Sequence, residues 1–259
     1  MYVHHEHVWT TVVAIHIDAP HLTSQQCDAA RDDVVAFLHH VDEVFSTFKP
    51  ESLVSQYRRG DVTDAQLEAH AAAESPVNTA ARDLRDVIAL CRKAVITTRG
   101  AFDPWSAPGG FDPSGLVKGW AAQRACDILR AHGITRAYVN AGGDVYSISD
   151  GEPWTCGIAD PDDRSQVVKV ATIAGDGAAC TSGTYERGAH IVTRNGAPLG
   201  ARAASVVGPD AALADAYATA ICIDGPNAIE WFVELGSAWS MFVIPNDDRL
   251  GYSYGAAWA

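Results

Sequence analysis

Paired cysteines are missing from this chain. Its six cysteines (Cys27, Cys91, Cys126, Cys156, Cys180 and Cys222) stand singly, with no C-x-x-C. That argues against a zinc site or a disulfide scaffold and reads most of the thiols as small buried apolar groups. Blocks of lysine or arginine are also missing: 19 basic residues face 32 acidic ones, for a formal net charge of −13. Neither a nucleic acid nor an anionic membrane surface is therefore an expected partner. No segment approaches the ~20 consecutive apolar residues of a membrane span. The opening MYVHHEHVW lacks the basic start, apolar stretch and small-residue cleavage site of an export signal. These absences lead to the expectation of a cytoplasmic protein with no membrane span.

What is present suits a globular fold. The 259 residues are 47% hydrophobic and 20% charged, enough to bury a sizeable core, and no repeat, linker or composition break divides them. A single domain over 1–259 is expected. Residues 8–18 are rich in β-branched side chains and predict a first strand. The apolar spacing from Val34 to Phe45 predicts a helix over 23–45, with Thr23 or Ser24 as its cap. A polar loop is expected over 46–60, a second helix from Asn78 to Thr98, an irregular Gly/Pro/Asp-rich stretch over 101–113, and a third helix over 115–131. Beyond Arg136 the period shortens. AYVN, WTCGIA, VVKVATI, AHIV and AASVVG predict short strands, followed by helices over 210–222 and 226–235 and a closing strand SMFVIP. Helices and strands are partly segregated, which favours an α+β fold. The histidines at 4, 5 and 7 show no ligand-like spacing and read as a solvated arm.

Four segments carry polar chemistry. In GAFDPWSAPGGFDPSGLVKGW (100–120) two Phe-Asp-Pro triplets set Asp103 and Asp112 at turns, and Ser114, Gly115 and Lys118 open a helix. Such a start can hold a phosphate through free N–H groups and a lysine, or the aspartates can simply be caps. In VNAGGDV (139–145) a strand ends on two glycines, which allow close backbone approach; alone this reads as a tight turn with Asp144 in it. In TSGTYERGAHIV (181–192) His190 is either a general base or a satisfied polar residue. In ALADAYATAICIDG (212–225) Asp215 and Thr219 lie four apart, on one helix face. Their hard oxygens suit Mg2+ or Ca2+; the alternative is an exposed Asp and a Thr bonded back to its own helix. Together the pieces suit phosphoryl or pyrophosphate chemistry, in which positioning and charge neutralisation dominate. For so acidic a chain, an anionic phosphate ester requires such local compensation.

Seven blocks in order, HVWTTVV, FSTFKPESLVSQ, GAFDP, FDPSGLVKGWAAQRA, VNAGGDV, TSGTYER…HIV and ADAYATA, give the chain a resemblance over nearly its full length to the ApbE family of FAD:protein FMN transferases. The resemblance implies an α+β fold related to the T-fold, with FAD as substrate beside Mg2+ or another divalent cation. It implies transfer of FMN to a Thr or Ser hydroxyl of an acceptor flavoprotein, with release of AMP. On it, Gly115 (through its backbone oxygen), Asp215 and Thr219 would hold the metal. Trp9, Phe48, Ala101, Phe102, Asp103, Asp112, Lys118 and Ile191 would line the FAD site, and His190 would activate the acceptor hydroxyl. The chain departs from the family where Trp9-Thr10-Thr11 replaces Met-Gly-Thr, where Phe48 replaces a tyrosine, and where Thr193 and Arg194 follow Val192 in place of Asp-Pro. Thr10 lacks a glycine's backbone freedom. A hydrolase giving FMN and AMP, and a catalytically silent FAD-binding protein, are the alternatives.

Overall fold

The computed structural model describes residues 1–72, 77–183, 197–246 and 251–259. Its strands are β1 (Tyr2–Val8), β2 (Thr11–Ile17), β3 (Ala137–Ala141), β4 (Val145–Ile148), β5 (Trp154–Ala159), β6 (Val167–Ile173), β7 (Gly177–Gly183), β8 (Ala201–Gly208), β9 (Ser240–Pro245) and β10 (Tyr252–Tyr254). Eight of them form a central antiparallel sheet in the order β1-β2-β3-β4-β7-β8-β9-β10. A separate ribbon pairs β5 with β6. Helices α1 (Ser24–Phe45), α4 (Val77–Thr97), α5 (Ser114–Ala131) and α6 (Ala211–Asp224) accompany the sheet, with shorter α2 (Leu53–Arg59) and α3 (Asp64–Ala72) beside them.

Pleating gives the sheet two faces. Ile15, Val139, Ile148, Cys180, Val206 and Met241 point toward the helices and share one buried core with Leu38, Leu116, Leu129 and Ile221. Ala179 and Val207 point the other way and join Ala171 and Ile173 in a smaller core under the β5–β6 ribbon. Local signals mark the helix starts. Thr23 and Gln26 form a reciprocal capping box on α1, and Asp210 caps α6 by accepting from Leu213 N–H. Helix α6 has Ala at six of its 14 positions and is buried on nearly every side. Gly119 lets α5 cross it closely: a Cβ there would lie 2.1 Å from the Ala211 carbonyl oxygen.

Several expectations are corrected. Residues 8–18 are not one strand. The chain reverses at Trp9 and Thr10, both at positive φ (56° and 59°), and the histidine-bearing start is strand β1 rather than a solvated arm. His4 and His39 both lie within hydrogen-bond distance of the Glu6 carboxylate, at 3.1 and 2.9 Å, which ties β1 to α1. The 46–60 loop contains α2, started by Ser52 and stopped by Gly60 in the left-handed region. The segment expected as a helix over 226–235 is broken into 3-10 and α turns. The AHIV strand lies outside the described residues. Among the described residues no helix is long and apolar enough to cross a membrane.

Candidate active site

The site is built where α5 begins. Proline after Asp112 prevents the helix from starting earlier, and Asp112 Oδ1 accepts from the Ser114 N–H at 3.0 Å. Asp103 caps the preceding short turn in the same way, accepting from Trp105 N–H at 3.1 Å. Both aspartates are therefore backbone caps, whatever else their second oxygens meet. Of the two readings of this helix start, these amides follow the capping one: Leu116 and Val117 N–H bond the Pro113 carbonyl and Ser114 N–H is held by Asp112. The positive group at this end is Lys118.

Gly115 leaves the helical region at φ −82°, ψ 19°. Four residues on, the Gly119 N–H, whose regular helical partner would be the Gly115 carbonyl, reaches Asp215 Oδ2 at 3.3 Å. Asp215 is 1% exposed, on the face of α6 that crosses Gly119. A Cβ on Gly115 would lie 3.3 Å from Thr219 Oγ1 and 3.3 Å from the Phe102 ring, so the glycine keeps this gap open. One carboxylate, one hydroxyl and one backbone segment thus converge across the α5–α6 crossing. Such an all-oxygen set fits a hard divalent cation; among the described residues no group of three His, Cys, Asp or Glu side chains is placed to hold a metal ion. Phe102 is buried beneath Gly115, its N–H bonded to Thr98 Oγ1 at 3.1 Å; Ala101 beside it is half-buried.

Lys118 forms an ion pair with Asp144. Asp144 lies in the tight β3–β4 turn, as expected, but is fully buried: Gly142 and Gly143, at φ 68° and 104°, fold the strand end inward and carry the carboxylate into the protein. Its second oxygen, Oδ1, accepts no hydrogen bond among the described residues. Cys180, on the helix-facing side of β7, lies in the field of both Asp144 and Asp215; burial first, and then those two charges, hold its thiol well above the ordinary range. On the same face two residues along, Ser182 Oγ is 2.9 Å from Thr219 Oγ1.

The first turns of α5, which carry Gly115, also wall through Ser114, Val117 and Lys118 a cleft of about 370 Å³ that lies between them, the β1–β2 turn and the end of α1. Trp9, Phe45, Phe48, Lys49, Val117 and Lys118 are among its walls. Trp9 is partly buried and its Nε1–H has no acceptor among the described residues. Phe48 is 93% exposed at the rim. The structure therefore brings Gly115, Asp215 and Thr219 together and sets Lys118, Trp9 and Phe48 around this cleft. His190 and Ile191 lie outside the described residues. Sequence reasoning missed Ser182 and the ion-paired role of Asp144. Alternation along β7 puts Ser182 on the face of Cys180, but only the tertiary fold puts Thr219 opposite it.

This arrangement has counterparts. The ApbE family model matches residues 107–241, from the loop before α5 through α6 into β9. An FAD:protein FMN transferase of Rhodobacter capsulatus is 37% identical over 127 residues, covering 44% of this chain and 24% of that protein. A protein of that name from Klebsiella pneumoniae (strain 342) is 34% identical over 113 residues, covering 41% of this chain and 34% of its own length. The match thus spans about a quarter to a third of these relatives. The ApbE protein of Thermotoga maritima superposes with a TM-score of 0.76 at 19% identity over 98% of this chain and 96% of its own. The flavin transferase ApbE of Vibrio cholerae gives 0.72 at 18%, with the same coverage. The two structures share the α+β fold over nearly its whole length, the family model spans the elements that assemble the oxygen cluster, and the chain belongs to the ApbE family.

Proposed function

We propose that this chain transfers the FMN half of FAD to a Thr or Ser hydroxyl of an acceptor protein, in a Mg2+-dependent reaction. The observation that carries the reading is the convergence of Gly115, Asp215 and Thr219 at the first turns of α5, which through Lys118 also wall a cleft with Trp9 and Phe48. The names of the similar proteins of Rhodobacter and Klebsiella support the reaction class.

In this reading Gly115 through its carbonyl, Asp215 and Thr219 hold Mg2+, which when bound neutralises charge on the pyrophosphate. Lys118, at the cleft wall, adds positive charge near the phosphates of FAD, and Asp144 fixes where that charge sits. Trp9 and Phe48 offer aromatic faces to a flavin or adenine ring, and a stacked pair is worth about 1 kcal/mol beyond burial. His190 takes the proton of the acceptor hydroxyl as its oxygen bonds to the FMN phosphorus. The bond from that phosphorus to the bridging oxygen breaks, and AMP leaves with the oxygen. A neutral imidazole titrating near working pH suits that task.

The test is mass spectrometry of a co-expressed acceptor flavoprotein after incubation with FAD and Mg2+. An FMN adduct on a Thr or Ser with stoichiometric AMP is the expected result. Free FMN with AMP would replace transfer by hydrolysis, and unchanged FAD would overturn both. His190→Ala should bind FAD normally and lose transfer by about a hundredfold or more; weaker FAD binding with an unchanged transfer rate would remove it from the chemistry.

A further inference from the structure

Resting on the metal reading above, we propose that Ser182 is the positioning residue for the Thr219 hydroxyl. It would accept that hydroxyl's proton and so turn its lone pair toward the cation.

A neutral hydroxyl that ligates a cation does so through a lone pair, which leaves its O–H to be placed elsewhere. If the hydrogen points at the cation, the ligand is lost; if it has no acceptor, a partly buried donor goes unsatisfied. Ser182 Oγ stands 2.9 Å from Thr219 Oγ1, in the range of a good hydroxyl–hydroxyl bond. Without a cation either oxygen can donate. With one bound to Thr219 only one direction is compatible, Thr219 donating to Ser182, and that bond makes the Thr219 oxygen a better donor to the metal. Acceptors of this kind behind metal ligands commonly set affinity by an order of magnitude or more.

The backbone makes the pairing specific. Cys180 and Ser182 lie on the helix-facing side of β7, and two strand residues advance roughly 6.6 Å. Asp215 and Thr219 lie on one face of α6, and four helical residues advance roughly 6 Å. The two spacings match, so β7 meets α6 twice in step. Cys180 lies in the field of Asp215 and bonds the Ala211 carbonyl at 3.5 Å, and Ser182 meets Thr219. Ser182 is itself fixed at two points. Its peptide is in register with Ala204 of β8, and its carbonyl accepts from the Cys222 thiol of α6 at 3.1 Å. Next to it Thr181 bonds Ser205 on the opposite face at 2.8 Å, so the two neighbouring hydroxyls are sorted to different sides of the sheet.

The experiment measures Mn2+ binding to the full chain by the loss of the free-ion EPR signal, without FAD. Wild type, Ser182→Ala, the equal-volume pair Ser182→Thr and Ser182→Val, Thr219→Val and the double variant Ser182→Ala/Thr219→Val are compared, with Asp215→Ala as reference. Ser182→Ala and Ser182→Val should weaken Mn2+ about 10- to 100-fold, while Ser182→Thr stays within about threefold of wild type. Ser182→Ala should add little in the Thr219→Val background, because its effect runs through that hydroxyl. Equal affinities for Ser182→Thr and Ser182→Val overturn the proposal, as does undiminished weakening in the Thr219→Val background. Wild-type affinity in Ser182→Ala, with binding lost in Asp215→Ala, overturns it while leaving the metal reading standing. No Mn2+ binding by wild type overturns the metal reading itself. The Thr/Val comparison keeps packing constant, so a fold that tolerates only the larger side chain still gives an answer.

Discussion

Asp144 and Lys118 illustrate what a buried charge demands of its surroundings. A carboxylate with no exposure is costly unless a counter-charge is held against it, and Lys118 is the cation so placed. Removing either partner breaks the pair, and removing Lys118 takes from the buried carboxylate the cation held against it. Lys118→Met or Asp144→Leu alone should therefore destabilise by about 3–5 kcal/mol, and the double change by clearly less than the sum. Urea unfolding of the three variants measures this, and additive losses would show that the pair is not coupled. Asp215 is the other deeply buried carboxylate of the site, and the Gly119 amide reaches it at 3.3 Å. Asp215→Ala should retain less than about a tenth of wild-type turnover at saturating Mg2+. The buried charge it removes offsets the lost Gly119 N–H bond, so the fold should survive without metal. A loss of fold in metal-free buffer would make Asp215 structural instead.

Among the elements, legibility followed the period of the side chains. Helix α1, expected over 23–45, spans Ser24–Phe45, and α4, expected from 78 to 98, spans Val77–Thr97, because each has a clear apolar stripe and a stop. The β1–β2 hairpin was not legible. Its turn is Trp-Thr, without the Asn-Gly or Asp-Gly that normally supplies positive φ at both corners. Thr10 takes the left-handed conformation at a steric cost of about 1–2 kcal/mol, which a glycine would not incur. Asp215 and Thr219 could be found from an i, i+4 spacing. Gly115's role came only through resemblance, since a bend inside a helix leaves no period, and Ser182 depends on the meeting of β7 with α6. The hairpin also carries a pH signature. His16 stacks on Tyr138 with ring centroids 4.2 Å apart, and its buried Nδ1 has no partner among the described residues. Burial, and secondarily the charge of nearby His5, lower its pKa. The stability that goes with the neutral ring is complete above the unfolded imidazole value near 6.5. It is lost as pH falls from there through the folded value, because the unfolded chain takes up the proton first. His16→Phe keeps the stacking and removes the titration. Its melting temperature should decline less than that of wild type between about pH 6.5 and 5, and parallel curves would assign the acid sensitivity elsewhere.

On the scale of the whole molecule, the sheet separates two tasks. Its helix-facing side carries the oxygen cluster; its other side carries the small core under the β5–β6 ribbon. That ribbon is held by the C-terminal segment as well as by its own pairing. Thr172 N–H bonds the Ala257 carbonyl at 2.7 Å, Ala259 N–H bonds the Val170 carbonyl at 3.1 Å, and Ala257 N–H returns to Ser240 Oγ of β9 at 3.2 Å. Trp258 closes the layer, its ring 5.9 Å from that of Phe242 and packed against Ala171, Ile173, Ala179 and Val207. A two-stranded ribbon with few buried side chains is marginal by itself, so removing this ring should cost most of its attachment. Trp258→Ala is expected to destabilise by about 1–2 kcal/mol, less than a fully buried tryptophan because the ring is only half-buried. The layer beneath the helices does not use that ring. Mn2+ affinity at Asp215 and Thr219 should therefore stay within about twofold of wild type at temperatures where the variant is folded. Amide exchange resolves the two effects in one sample: faster exchange confined to β5, β6 and the C-terminal segment is the expected pattern. Faster exchange in α5 and α6 together with weakened Mn2+ binding would mean that the sheet transmits the loss from one face to the other.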